Sequence, residues 1–151
     1  MERRHFLRGL GGIFATGALF TVSGCTEDPI IESCQRDKVG TVTVKNSTGY
    51  TIYTDVTWGD YVDNYEKRLS NGSSYKYNNV AASGHPESYS GRIEIWASFD
   101  GDDWYYEYEN LTPCENLTFT WYLSASKSTS PSLILATPNG ELVTPTLKQK
   151  R

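Results

Sequence analysis

Histidine is nearly absent from this chain: its 151 residues include only His5 and His85, with three cysteines and one methionine. That scarcity removes whole classes of chemistry. A Ser-His-Asp or Cys-His nucleophile system needs an imidazole placed as base. The one histidine in the body of the chain, His85, sits beside Pro86 in a polar stretch that reads as a solvated turn. Two histidines and three cysteines are also a poor supply for a structural zinc site. Neither a phosphate-binding glycine loop nor a zinc-protease helix motif occurs. Basic residues are outnumbered, 14 Lys and Arg against 18 Asp and Glu for a net charge of −4. An acidic chain has the wrong sign for nucleic acid or for direct docking on anionic lipid. Long apolar runs are missing as well, save residues 9–21, which are too short for a stable membrane span. These absences predict no catalytic residue, no metal and no cofactor, and so a protein that is not an enzyme.

What is present begins at the N-terminus. Arg3, Arg4 and Arg8 give a positive start, residues 9–21 are apolar, and Val22-Ser23-Gly24-Cys25 places small residues before a thiol. This arrangement resembles the signal and lipobox of bacterial lipoproteins. The resemblance implies lipidation of Cys25, removal of residues 1–24, and a mature protein anchored to a membrane of the bacterial cell envelope, facing the periplasm or the exterior. Two or more acyl chains, at about 0.8 kcal/mol per buried methylene, anchor a protein stably. Arg3-Arg4-His5-Phe6-Leu7-Arg8 also resembles the twin-arginine export motif, with Glu2 where that family prefers Ser or Thr. Twin-arginine and general secretion both remain open as routes. The expected organisation is a signal peptide at 1–24, a lipidated tether at 25–37 and a single β domain at 38–151.

With Cys25 carrying lipid, Cys34 and Cys114 remain, and two cysteines in an oxidising compartment most simply form a disulfide. Such a bridge would contribute about 4 kcal/mol through loop-closure entropy. It would also leave only residues 26–33 free, holding the domain within about 25 to 30 Å of its anchor.

The mature chain alternates and turns rather than showing helical stripes. Thr41-Val42-Thr43-Val44-Lys45 alternates, 46–49 supplies a turn, and 50–58 is rich in β-branched and aromatic residues, a pattern that predicts a hairpin. Ser70-Asn71-Gly72-Ser73 is a turn signal before a strand at 74–78. Residues 92–99 alternate, Asp100-Gly101 turns, and 103–108 returns, with Ile93, Ile95, Ala97 and Phe99 as the inner face. A further strand at 116–123 has Leu117, Phe119, Trp121 and Leu123 on one side. Residues 124–131 resemble a linker, and Leu133-Ile134-Leu135 with Asn139-Gly140 predicts a closing hairpin. Short strands about ten residues apart, with no helix after the signal, predict an antiparallel β-sandwich; a small β-barrel is the alternative. The succession of strands resembles immunoglobulin-like or transthyretin-like domains, a likeness of architecture that carries no site.

Aromatic residues are plentiful, with four tryptophans and eleven tyrosines. That is more than one small core can enclose. Trp58, Tyr75, Tyr77, Trp96 and Tyr105 are the candidate binding surface, because aromatic rings beside carboxylates stack on sugar rings and are equally typical of protein contacts. Cross-strand pairing that stabilises the sheet is the competing role for these rings. Glu94, Glu107 and Glu109 fall on neighbouring strands, and two carboxylates suffice for glycoside hydrolysis. Asp100-Gly101-Asp102-Asp103 lacks the loop length and closing Glu of a calcium-binding hand and reads as a turn. Asn-x-Ser/Thr triplets start at Asn46, Asn71, Asn110 and Asn116, without meaning for modification in a bacterium. The expected function is a non-enzymatic envelope module binding a protein or glycan. A small carboxylate-based hydrolase and a purely structural envelope protein are the alternatives.

Overall fold

The computed structural model describes residues 32–59, 67–124 and 132–148. The proposed signal with Cys25, the aromatic residues Tyr61 and Tyr65, and nearly all of the Ser-rich stretch at 124–131 lie outside them.

The chain folds as a two-layer β-sandwich. Its elements are α1 (Ser33–Asp37), β1 (Val39–Asn46), β2 (Ile52–Trp58), β3 (Lys67–Leu69), β4 (Ser74–Ala81), β5 (Ile93–Phe99), β6 (Asp102–Tyr108), β7 (Asn116–Leu123), β8 (Leu133–Ala136), β9 (Leu142–Val143) and β10 (Thr146–Lys148). One sheet, A, runs β4-β1-β7-β8-β9, and the other, B, runs β10-β6-β5-β2-β3. Each sheet ends in edge strands, so neither closes into a barrel. The β5–β6 hairpin forms as its alternation requires, with Asp100 and Gly101 both at positive φ (52° and 85°), the twist that suits a two-residue connection.

The antiparallel-dominated β-sandwich is the fold expected, and three details of it need correction. The segments around β1 and β2 do not pair as a hairpin: β1 pairs with β4 and β7 in sheet A, β2 with β3 and β5 in sheet B. Alternation fixes which residues face the core but not which strand lies alongside, and the residues between the two strands cross between layers. The β1–β7 ladder is parallel, so sheet A is mixed rather than wholly antiparallel. A helix also follows the signal region. Helix α1 is five residues long and buries none of them, so it leaves no hydrophobic stripe to be read. It ends at Lys38 in the left-handed conformation (φ 54°).

The disulfide Cys34–Cys114 ties α1 to the segment leading into β7, with Cα atoms 5.1 Å apart. Beside it the Cys114 N–H donates to the Val39 carbonyl at 2.9 Å, so the bridge also abuts the start of β1. The core lies between the sheets. Val42, Val44, Phe119, Trp121, Leu133 and Leu135 from A meet Ile52, Val56, Ile93, Ile95, Ala97 and Trp104 from B, all buried. The inward alternation on β5 and β7 is the one expected.

Candidate ligand groove and aromatic face

Register across sheet B sets out the rows of its outer face. Asp55, Trp96, Tyr105 and Thr146 pair successively across β2, β5, β6 and β10. Side chains in such a row stand close enough to touch. The Trp96 and Tyr105 rings stack at 4.9 Å between centroids with an interplanar angle of 25°. This contact contributes about 0.5–1.5 kcal/mol beyond the area it buries. Lys148 Nζ stands 4.7 Å from the centre of the Trp96 ring, and the indole N–H donates to Glu94 Oε2 at 3.2 Å. Trp96 is therefore held on three sides.

The next row contains Thr57, Glu94 and Glu107. Arg92 bonds the Glu107 carboxylate and stands 3.8 Å from Glu94 Oε1, so one guanidinium serves two acids directly opposite each other. Beyond Arg92 the face opens into a groove of about 450 Å³ lined by Thr57, Trp58, Glu87, Tyr89, Arg92 and Glu94 among others. That volume falls in the range of small-ligand sites, roughly 300–1,000 Å³.

The groove wall is a loop, residues 82–91, held by its own backbone. His85 N–H donates to the Ala82 carbonyl, Ser88 N–H to His85, Gly84 N–H to Tyr89 and Gly91 N–H to Ser88, all between 2.9 and 3.1 Å. Two glycines make this course sterically feasible. At Gly59 (φ +56°) an added Cβ would lie 1.9 Å from the Glu87 carbonyl oxygen, and at Gly91 (φ +68°) one would lie 2.4 Å from that of Leu111. So pinned, the loop presents Glu87, whose carboxylate accepts the Trp58 indole N–H at 3.3 Å, and Tyr89, which is 82% exposed. A wall fixed before a ligand arrives spares the cost of ordering it.

Of the five candidate surface aromatics, the structure brings Trp96 and Tyr105 together on the outer face, whereas Trp58, opposite the inward Ile93 and half-buried against the core, lines the groove at the end of β2. Tyr75 lies on edge strand β4 of the other sheet, 39% exposed, with Lys67 Nζ 5.1 Å from its ring centre. Tyr77 is not a surface residue: it is 6% exposed, and its hydroxyl donates across the sandwich to the Thr54 carbonyl at 3.1 Å. Both tyrosines fall on one face of β4, but Tyr77 is opposite Val42 within the core and Tyr75 opposite Val44 nearer its margin. Glu109 follows the end of β6, apart from the Glu94–Glu107 pair. His85 Nδ1 accepts the Glu87 N–H at 3.1 Å and so helps to shape the loop. Asp103 accepts a hydrogen bond from the Ser98 hydroxyl at 2.5 Å. Among the described residues, the group with metal-ligand spacing is Glu32, Cys34 and Cys114, whose two sulfurs are spent in the disulfide.

Sequence reasoning did not single out Glu87, Tyr89 or Arg92 for the groove. The available signal was a tyrosine within a stretch punctuated by Gly84, Pro86 and Gly91, and nothing local says where such a loop folds back. Fold and surface together define a disulfide-bridged β-sandwich carrying an aromatic, charged groove. The chain matches no family model and no curated protein.

Proposed function

We propose that this chain is a lipid-anchored lipoprotein of the bacterial cell envelope whose β-sandwich, without catalysing a reaction, binds a glycan in the groove at the end of sheet B. The observation that carries the reading is the joint placement of Trp58 and Tyr89 with Glu87, Arg92 and Glu94 around one open groove, which Glu94 links to the Trp96–Tyr105 stack by accepting the Trp96 indole N–H. Aromatic rings offer apolar faces to the C–H side of a sugar, while carboxylates and a guanidinium offer charge-assisted hydrogen bonds to its hydroxyls. Arg92 engages both Glu94 and Glu107, so these acids enter the reading as parts of a charged network rather than as a catalytic pair. Anchorage through Cys25 rests on the lipobox-like Val22-Ser23-Gly24-Cys25.

The test has two arms. In cells, Cys25→Ser is expected to move the protein from the membrane fraction to the soluble one and to end palmitate incorporation. On a panel of immobilised neutral and acidic oligosaccharides, Tyr89→Ala is expected to weaken retention by about fivefold, on the order of 1 kcal/mol, with no change in thermal midpoint, because the ring is solvent-exposed. Retention of no oligosaccharide, or equal retention by the variant, removes the glycan reading. Membrane retention of the serine variant removes the anchor.

A further inference from the structure

A second cleft lies on the opposite flank of β6, where Tyr106 and Tyr108 of sheet B meet the start of β7 and the turn between β8 and β9. It is open, about 410 Å³ in volume, and lined by Tyr106, Tyr108, Glu115, Asn116, Asn139 and Glu141 among others. We propose that this cleft is a separate binding site for a cationic side chain, lysine or arginine, presented by a partner protein.

Its charge is of one sign. Among the described residues, none of those lining it is basic, whereas in the first groove Arg92 answers the carboxylates. Glu115 is held in place: its Oε2 accepts both the N–H and the hydroxyl of Thr112, at 2.8 and 3.0 Å, leaving Oε1 without a partner among the described residues. Glu141 sits on a fixed backbone, its carbonyl accepting the Thr137 N–H at 2.8 Å and its N–H donating to Asn139 Oδ1 at 3.3 Å. The Glu141 carboxylate likewise has no partner among the described residues.

The aromatic side of the cleft is equally fixed. The rings of Tyr106 and Tyr108 pack on Phe119 at 6.4 and 5.5 Å between centroids, so they are anchored to the core while lining the opening. Burial pushes the Tyr108 hydroxyl above its usual range, and the charge of Glu115 raises it further, a sign that this carboxylate is felt inside the cleft. Two tyrosine rings and two uncompensated carboxylates suit a cation that also has an apolar stem. Lysine meets them with a point charge, and arginine adds a planar group that stacks on a ring. A neutral sugar would leave both charges unanswered, and an anion would be repelled.

The test is a two-dimensional amide NMR titration of the full-length chain with N-acetyl-arginine amide, N-acetyl-lysine amide, neutral N-acetyl-norleucine amide and anionic N-acetyl-glutamate amide. The expected result is saturable shifts at Asn116, Thr137, Asn139 and Glu141 with the two cations alone. Glu115→Gln combined with Glu141→Gln should weaken that response by about tenfold or more. Tyr89→Ala, in the other groove, should leave it unchanged, so this site and the glycan reading fail or stand separately. Absence of shifts at these amides, equal shifts with the neutral or anionic probe, or full binding by the doubly substituted chain overturns the proposal. A normal amide spectrum of that variant shows that loss of binding is not loss of fold.

Discussion

Among single residues, Asn46 shows how far a side chain's role can lie from its sequence signal. It opens an Asn-Ser-Thr triplet and reads as a turn residue, yet it is fully buried at the end of β1. Its Nδ2 donates to the carbonyls of Tyr50 and Leu69 at 2.7 and 2.8 Å, and its Oδ1 accepts the N–H and hydroxyl of Thr48 at 3.0 and 2.8 Å. The turn was legible because Asn, Ser, Thr and Gly bend chains locally. The bond to Leu69 was not, because its partner is 23 residues away. Asn46→Ala leaves buried polar groups unpaired and is expected to cost about 3 kcal/mol in chemical denaturation. Asn46→Asp should cost no less, since it keeps the acceptor but turns an anionic oxygen toward two carbonyl oxygens. A loss below about 1 kcal/mol for both would show that water replaces the amide.

For the elements, the legible connections were those closed by two-residue or short loops within one sheet. Asp100-Gly101 and the alternation on either side suffice to fix β5 against β6, and the β8–β9 pair follows from Asn139-Gly140. The connections that change sheets were not legible, since a turn between layers uses the same residues as a turn within one. Residues 46–51 and Ser70-Asn71-Gly72-Ser73 are both of this kind, and they bond each other: Gly72 N–H donates to the Asn46 carbonyl at 2.7 Å and Asn46 N–H to that of Ser73 at 2.9 Å. The candidate site divides in the same way. The Trp96–Tyr105 contact follows from hairpin register, whereas Glu87 and Tyr89 reach the groove by a loop whose path depends on Gly59 and Gly91. Gly91→Ala sets a methyl against the Leu111 backbone at a left-handed φ, a conformation that costs roughly 1–3 kcal/mol in a non-glycine residue before the clash is counted. The expected outcome is a lower unfolding midpoint together with faster amide hydrogen exchange at Ser83 and Leu111, whose bonds to Leu111 and Gly91 close the loop.

On the scale of the whole molecule, the bridge between Cys34 and Cys114 spans 80 residues of sequence. A closure of that length constrains the unfolded chain by about 4 kcal/mol. Replacing both cysteines by serine is therefore expected to lower the denaturant midpoint by the corresponding amount with little change in folded-state circular dichroism; an unchanged midpoint would mean that the bridge adds no net stability. The bridge also decides how the sandwich meets tension. A pull arriving from the N-terminal side of Cys34 divides: one branch passes through α1 into the first residues of β1, and the other crosses the sulfurs to Cys114, from which it runs forward into the first residues of β7 and back toward β6. Of these strands, β1 and β7 are parallel neighbours inside sheet A, with Thr41 opposite Asn116, so load enters both at the same end of their shared ladder. Tension is thereby shared with the partners on either side, β4 and β8, and through β6 with the other sheet, rather than falling on β1 alone.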